Sequence, residues 1–184
     1  MRVITGKFGG RRLKAVPSHK TRPTTDRVKE ALFNIIGPYF QGGTFLDLFA
    51  GSGGVGIEAA SRGIKEVIMV DRQYLAYKTI NHNIAITKEP QLFSAYKMSA
   101  RSALKMLARK KIKFHFVYLD PPYRLQQMVK DLGWLSRLHL LVPKAKVICE
   151  TDNHTYLPDL VHNYKLLERK RYGITVITIY KYME

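Results

Sequence analysis

Cysteine is almost absent from this chain. Cys149, in the apolar run KVICE, is the only one, so no disulfide can form within the chain. A lone thiol in such a run reads as a buried core residue and fits a reducing compartment. Long apolar runs are missing too, which excludes a membrane-spanning helix of ordinary length. The first residues, MRVITGKFGG, lack the apolar stretch of a secretion signal. The six histidines fall at no spacing that a metal site uses, and no metal is expected. A cytoplasmic location is expected. Nothing in the sequence demands a dimer, and a monomer is expected.

Acidic residues are the scarcest class relative to their counterpart. Asp and Glu number 14 against 31 Lys and Arg, a net charge of +17. Such an excess predicts a polyanionic partner, and nucleic acid fits better than lipid because no basic amphipathic helix with a strong apolar face stands out. The charge is also clustered. From Arg2 to Lys29 there are nine basic residues and one acid, and from Arg101 to Lys113 six basic residues and none. Arg11, Arg12, Lys14, Arg22 and Arg27 are the candidates for gripping phosphates.

What is present falls into two parts. Residues 1–40 read as a basic appendage: a β-hairpin around Gly9-Gly10 that ends at Pro17, then a helix in TTDRVKEALFNII. Thr25 or Asp26 can cap that helix, and Val28, Leu32, Phe33 and Ile36 share one face. Residues 41–184 alternate strand and helix. Strands are expected at 44–49, 66–71, 91–98, 114–120 and 145–150. Helices are expected after the glycine loop and at 73–86, 100–110 and 124–138, the last interrupted by Gly133. Two closing strands turn near Tyr172-Gly173. This is an α/β pattern: a doubly wound, mostly parallel sheet with a C-terminal antiparallel hairpin.

Residues 51–56, Gly-Ser-Gly-Gly-Val-Gly, form a glycine loop between a strand and a helix. Glycines there let backbone approach a ligand, and the helix N-terminus offers free N–H groups. Asp71 ends the next strand 20 residues after Gly51, where a carboxylate can accept both hydrogen bonds of a ribose. These features suit a dinucleotide or an adenosyl cofactor. Asp47 favours the second. An acid inside a buried strand needs a partner. It can face a cationic ligand group or orient the loop's own N–H groups, and S-adenosylmethionine carries an amino group and a sulfonium.

The fourth strand ends in Asp120, Pro121, Pro122 and Tyr123. Two adjacent prolines stop a strand, since neither has an N–H to donate. DLFAGSG followed by an acid and then DPPY resembles class I methyltransferases that act on exocyclic amino groups of nucleic-acid bases. The stretch ITGKFGGRRLKAVP…TRPTTDRVKEALFNII, together with YGITVITIYKY near the end, resembles the RsmD family of bacterial 16S ribosomal RNA guanine-N2 methyltransferases. The resemblance implies a seven-stranded fold and S-adenosylmethionine as methyl donor. By position, Ala50, Gly51, Ser52 and Gly53 would line the cofactor. Asp71 would hold its ribose with Arg72 beside it, and RPTTDRV (22–28) would help shape the cofactor or base pocket. Such enzymes commonly carry Asp-Ala after the third strand. Here Ser99-Ala100 stands there, so a hydroxyl or backbone group would meet the adenine. Asp120 and the Pro121 carbonyl would accept hydrogens from the target amine, and Tyr123 would stack on the base. The family also implies 16S ribosomal RNA, in an assembling small subunit, as partner. Three other readings stay open at this stage: an adenine-N6 DNA methyltransferase, an inactive RNA-binding module on the same core, and an NAD-dependent oxidoreductase.

Overall fold

Val67 to Val70 are four consecutive apolar residues, and all four are buried. Such a run suits a strand covered on both faces, and it forms β2, Glu66–Asp71. The computed structural model describes residues 1–17, 25–122 and 125–184. They divide into two compact units, Met1–Ala100 and Arg101–Glu184.

In the first unit, β1 (Thr44–Asp47), β2 and β3 (Phe93–Lys97) form a parallel run in the order β3-β2-β1. The register sets Asp47 opposite Met69 and Asp71 opposite Lys97. The helices are α1 (Asp26–Ile36), α2 (Gly54–Ser61) and α3 (Tyr74–Thr87). Strand β1 is shorter than expected because Leu48 and Phe49 already turn. Strand β3 starts late because Pro90 opens a 3-10 turn, Pro90–Leu92. Every residue of α2 is buried, as expected for a helix with little polar surface.

Thr25 is the cap of α1, its hydroxyl accepting the Val28 N–H at 3.4 Å. The buried face holds the four expected apolar residues and also Lys29. Phe33 stacks on Phe45 at 6.5 Å and meets Phe40 edge-on at 6.3 Å. The N-terminal hairpin is narrower than its sequence suggested. It has a single antiparallel bridge, Arg2 to Arg12, because the chain turns through Gly6 and Gly10, both at positive φ. Further bonds run from Val3 N–H to Arg11 O, Gly10 N–H to Val3 O and Leu13 N–H to Met1 O.

The second unit contains α4, which begins at Ala100 and runs to Arg109, β4 (Phe114–Leu119), α5 (Leu125–Arg137), β5 (Leu141–Asp152), β6 (Leu160–Val161), β7 (Tyr164–Tyr172) and β8 (Thr175–Tyr182). The strand order is β4-β5-β8-β7-β6. Strand β4 runs parallel to β5, and the remaining pairings are antiparallel. The closing hairpin turns at Gly173-Ile174 between the paired Tyr172 and Thr175. Seven strands were expected; the eighth is the two-residue β6. Gly133 does not interrupt α5. Its missing side chain makes room for His162, whose Nε2 would lie 3.2 Å from a Cβ placed there. Cys149 is fully buried in β5, and burial raises its thiol pKa far above the ordinary value. No helix of the described residues is long and apolar enough to cross a membrane.

Candidate active site

The C-terminal ends of β1 and β2 build the cofactor end of the first unit. Past β1, Ala50 donates its N–H to the Val70 carbonyl at 2.9 Å, and Gly53 closes back onto the Ala50 carbonyl at 2.7 Å. That tight turn needs positive φ at Gly51 (+54°) and Gly53 (+80°). A Cβ on Gly51 would meet no atom within 4 Å, so this edge of the loop faces open space. Gly56 is required for the opposite reason. A Cβ there would lie 2.8 Å from Met69 Sδ and 3.0 Å from Val67 Cγ1, so its absence lets α2 lie directly on β2.

Two carboxylates secure the loop. Asp47 is buried, and its Oδ2 accepts the Gly56 N–H at 3.2 Å. Gly53 supplies no side-chain cap to α2, so the strand's acid reaches into the helix's first turn, where the helix dipole favours negative charge. Asp71 accepts the Gly51 N–H at 3.0 Å through Oδ2 and the Gln73 N–H at 2.9 Å through Oδ1. Each carboxylate oxygen has two acceptor positions, so Asp71 retains capacity for two hydroxyl donors. Its backbone carbonyl takes the Met98 N–H at 3.1 Å, which brings the segment leading to Ser99 beside it. Ser99 is exposed and precedes α4; Arg72 is exposed as well. An open glycine edge, a half-buried carboxylate with spare acceptor positions and a neighbouring polar segment fit the ribose and adenine of an adenosyl cofactor.

Sequence reasoning missed the braces behind the loop. Asn83 on α3 is fully buried. Its amide donates to the Ser52 carbonyl at 2.8 Å and the Lys14 carbonyl at 2.9 Å, and its oxygen accepts the Lys14 N–H at 2.8 Å. Glu58 in α2, also fully buried, accepts the Ile4 N–H at 2.7 Å, the Thr5 N–H at 3.3 Å and Arg62 Nε at 2.8 Å. Lys29 Nζ lies 4.0 Å from Glu58 and donates to the Arg2 carbonyl at 2.5 Å. Burial lowers the Lys29 pKa, opposed mainly by Glu58 and then by Asp26. An acid inside the apolar run GIEAAS was the available signal for Glu58; Asn83 gave none. Met1 packs its sulfur 3.5 Å from Ser52 Oγ.

In the second unit, Asp120 follows the last residue of β4, half-buried, with Pro121 half-buried and Pro122 exposed. Tyr118, two residues earlier and buried, donates its hydroxyl to Glu150 on β5. Asp131 on α5 is buried, and Gln127 donates to its Oδ1 at 2.9 Å. Its Oδ2 has no hydrogen-bond partner among the described residues. Burial pushes its pKa up to about 6. Arg22 and Tyr123 lie outside the described residues. Arg12, Lys14 and Arg27 are exposed. Arg11 is half-buried: its guanidinium donates to the Ile86 and Thr87 carbonyls at 2.8 and 2.6 Å, at the end of α3, and lies 5.2 Å above the Phe8 ring.

The strand order, the glycine loop and the acid ending β2 define a class I S-adenosylmethionine-dependent methyltransferase fold. A solved structure titled "Putative methyltransferase yhhF from Escherichia coli" superposes with a TM-score of 0.85 at 28% identity, covering 100% of this chain and 98% of that one. The family model described as conserved hypothetical protein 95 matches residues 1–181. A Bacillus subtilis protein named "Putative rRNA methyltransferase YlbH" is 42% identical over 98% of each chain. The Haemophilus influenzae ribosomal RNA small subunit methyltransferase D is 33% identical over 98% of this chain and 93% of its own length. The chain belongs to this family, the RsmD family.

Proposed function

We propose that this chain transfers a methyl group from S-adenosylmethionine to the N2 amine of a guanine in small-subunit (16S) ribosomal RNA. The observation that carries the reading is the pair of carboxylates on the glycine loop, Asp47 on Gly56 and Asp71 on Gly51, in a chain of the RsmD family. Relatives named for ribosomal RNA methylation support the substrate class.

Bound there, S-adenosylmethionine supplies a methyl group on a sulfonium leaving group. Ala50, Gly51, Ser52 and Gly53 would line it, Asp71 would accept its ribose hydroxyls with Arg72 alongside, and Ser99 would meet its adenine. Asp120 and the Pro121 carbonyl accept the two N–H hydrogens of the guanine amine. That amine is a poor nucleophile because its lone pair is delocalised into the ring. Two acceptors draw the nitrogen towards a pyramidal shape and localise the pair. Pro121 and Pro122 offer no competing N–H, and their fixed φ keeps the carbonyl aimed. Tyr123, by its place in the tetrapeptide, stacks on a base that has left its helix or loop. Asp120 is also the carboxylate of the motif that can receive the proton released.

Residues 1–40 form the RNA-binding appendage in this reading. Arg12, Lys14, Arg22 and Arg27 contact phosphates, and Arg11 holds the arm against α3. The substrate is the assembling small subunit in the cytoplasm, and the enzyme works as a monomer. The test is transfer of labelled methyl to 16S RNA and to small-subunit particles, followed by nucleoside analysis. N2-methylguanosine is expected, and N6-methyladenosine overturns the assignment. Equal incorporation by Asp120→Ala overturns the role given to the tetrapeptide.

A further inference from the structure

The second basic cluster of the sequence is a surface. In α4 the residues Ala103, Leu104 and Leu107 are buried, while Arg101, Lys105 and Arg109 are exposed at four-residue intervals on one stripe. On α5, Lys130 and Arg137 are exposed on the face that carries the half-buried Trp134. The two helices meet at that indole. Arg101 and Arg137 each lie 5.0 Å from its ring centre, and Lys105 lies 5.8 Å away.

Three cations around one ring repel one another, and like charges four residues apart on a helix are unfavourable. The ring's negative face offsets part of this. None of these cations forms an ion pair among the described residues, whereas Arg2 pairs with Asp26 and Lys7 with Glu89 on the N-terminal arm. No acid occurs between Arg101 and Lys113. The arm's cations are therefore partly neutralised, and those of α4 and α5 are left for an outside anion.

We infer that the α4–α5 face is a second RNA-binding surface, which grips phosphates of the substrate RNA through Arg101, Lys105, Arg109, Lys130 and Arg137. Trp134 holds the Arg101, Lys105 and Arg137 heads in place. The inference rests on the RNA-methyltransferase reading. It adds that affinity for long RNA draws on the cations of this face as well as those of the arm. Phosphate contacts set register and affinity and carry no base selectivity.

The test compares wild type with the double variant Arg101→Gln, Lys105→Gln, using a 16S RNA transcript across a salt series. The double variant is expected to bind the transcript roughly tenfold more weakly at low salt, with a salt slope shallower by about 1.4 for two lost phosphate contacts on single-stranded RNA. Its KM for RNA rises while kcat at saturation stays unchanged, as for binding made equally before and during reaction. Melting temperature and S-adenosylhomocysteine affinity stay at wild-type values, which excludes misfolding. Wild-type slope and affinity in the double variant overturn the inference. So does loss of binding to phosphatidylglycerol vesicles with RNA binding intact, which would make the face a lipid contact. A wild-type protein that binds S-adenosylhomocysteine but neither binds nor methylates RNA overturns the underlying reading as well, and that outcome is visible before any variant is compared.

Discussion

Asn83 donates to the Ser52 carbonyl at 2.8 Å, so a residue in the middle of α3 holds the glycine loop by its backbone. The same side chain pairs with both backbone groups of Lys14, which ties the N-terminal arm to the loop. Asn83→Leu keeps the volume and removes all these bonds, leaving partly buried groups unsatisfied. A loss of about 3 kcal/mol is expected in urea unfolding, with S-adenosylhomocysteine binding weakened about tenfold. Unchanged cofactor affinity would show that the loop holds its shape without the brace.

Asp71→Asn tests the ribose contact. An amide can keep one oxygen acceptor for the Gly51 N–H, but it turns the other acceptor into a donor. Calorimetry is expected to show S-adenosylmethionine affinity lower by about a hundredfold, the scale of two lost charge-assisted hydrogen bonds. Thermal stability changes little because the side chain is only half-buried.

Asp120→Ala removes the carboxylate of the tetrapeptide. Methyl transfer is expected to fall about a hundredfold or more, with cofactor affinity within threefold of wild type. A parallel fall in both would assign Asp120 to cofactor binding.

Glu58 is the buried acid between Lys29 and Arg62. Glu58→Gln leaves both cations without their shared counter-charge, and a loss of about 3–5 kcal/mol is expected. Denaturant titration measures it. A variant as stable as wild type would mean that Asp26, 3.8 Å from Lys29, suffices as counter-charge.

Asp131 titrates near pH 6, above the ordinary 3.8 of an aspartate, because burial disfavours its charge. The folded chain therefore holds this proton more tightly than the unfolded chain. Below pH 3.8 both states are protonated and the group costs nothing. Between pH 3.8 and about 6 the unfolded chain has lost the proton that the folded chain still holds, so stability falls across that window and the full cost is present above it. Asp131→Asn is expected to be more stable than wild type at pH 8 by on the order of 2 kcal/mol, and no more stable at pH 4. Melting curves at the two pH values decide it.

Local pattern made much of this molecule legible. The β–α alternation, the glycine loop and the Thr25 cap are written within a few residues of where they act. Arg11 shows where that legibility stops. Its sequence context marks a candidate phosphate contact and gives no sign of the carbonyls it holds, 75 and 76 residues further along the chain. Asn83 is the same case in reverse, since its partners are 31 and 69 residues away. Gly133 reads as a break in the helix because glycine weakens helices, and the close approach of His162 that favours it there is again a distant contact. Element ends shifted where a proline or an early turn outweighed β propensity, as at Pro90 and Leu48.

The two-residue strand β6 has a consequence for how the protein behaves in a crowded cell. An edge strand with free backbone groups is a template for pairing with another chain. Here β6 pairs with β7 at Tyr164 and Lys165, the Leu166 N–H donates to the Asp159 carbonyl at 2.8 Å, and beyond it β7 carries Arg169, Lys170 and Arg171. Arg169 is paired with Asp159 and Lys170 with Glu168, so Arg171 is the cation without an ion pair among the described residues that a second copy extending the sheet would meet. Charge on an exposed edge thus disfavours pairing with a second copy as well as favouring an anion.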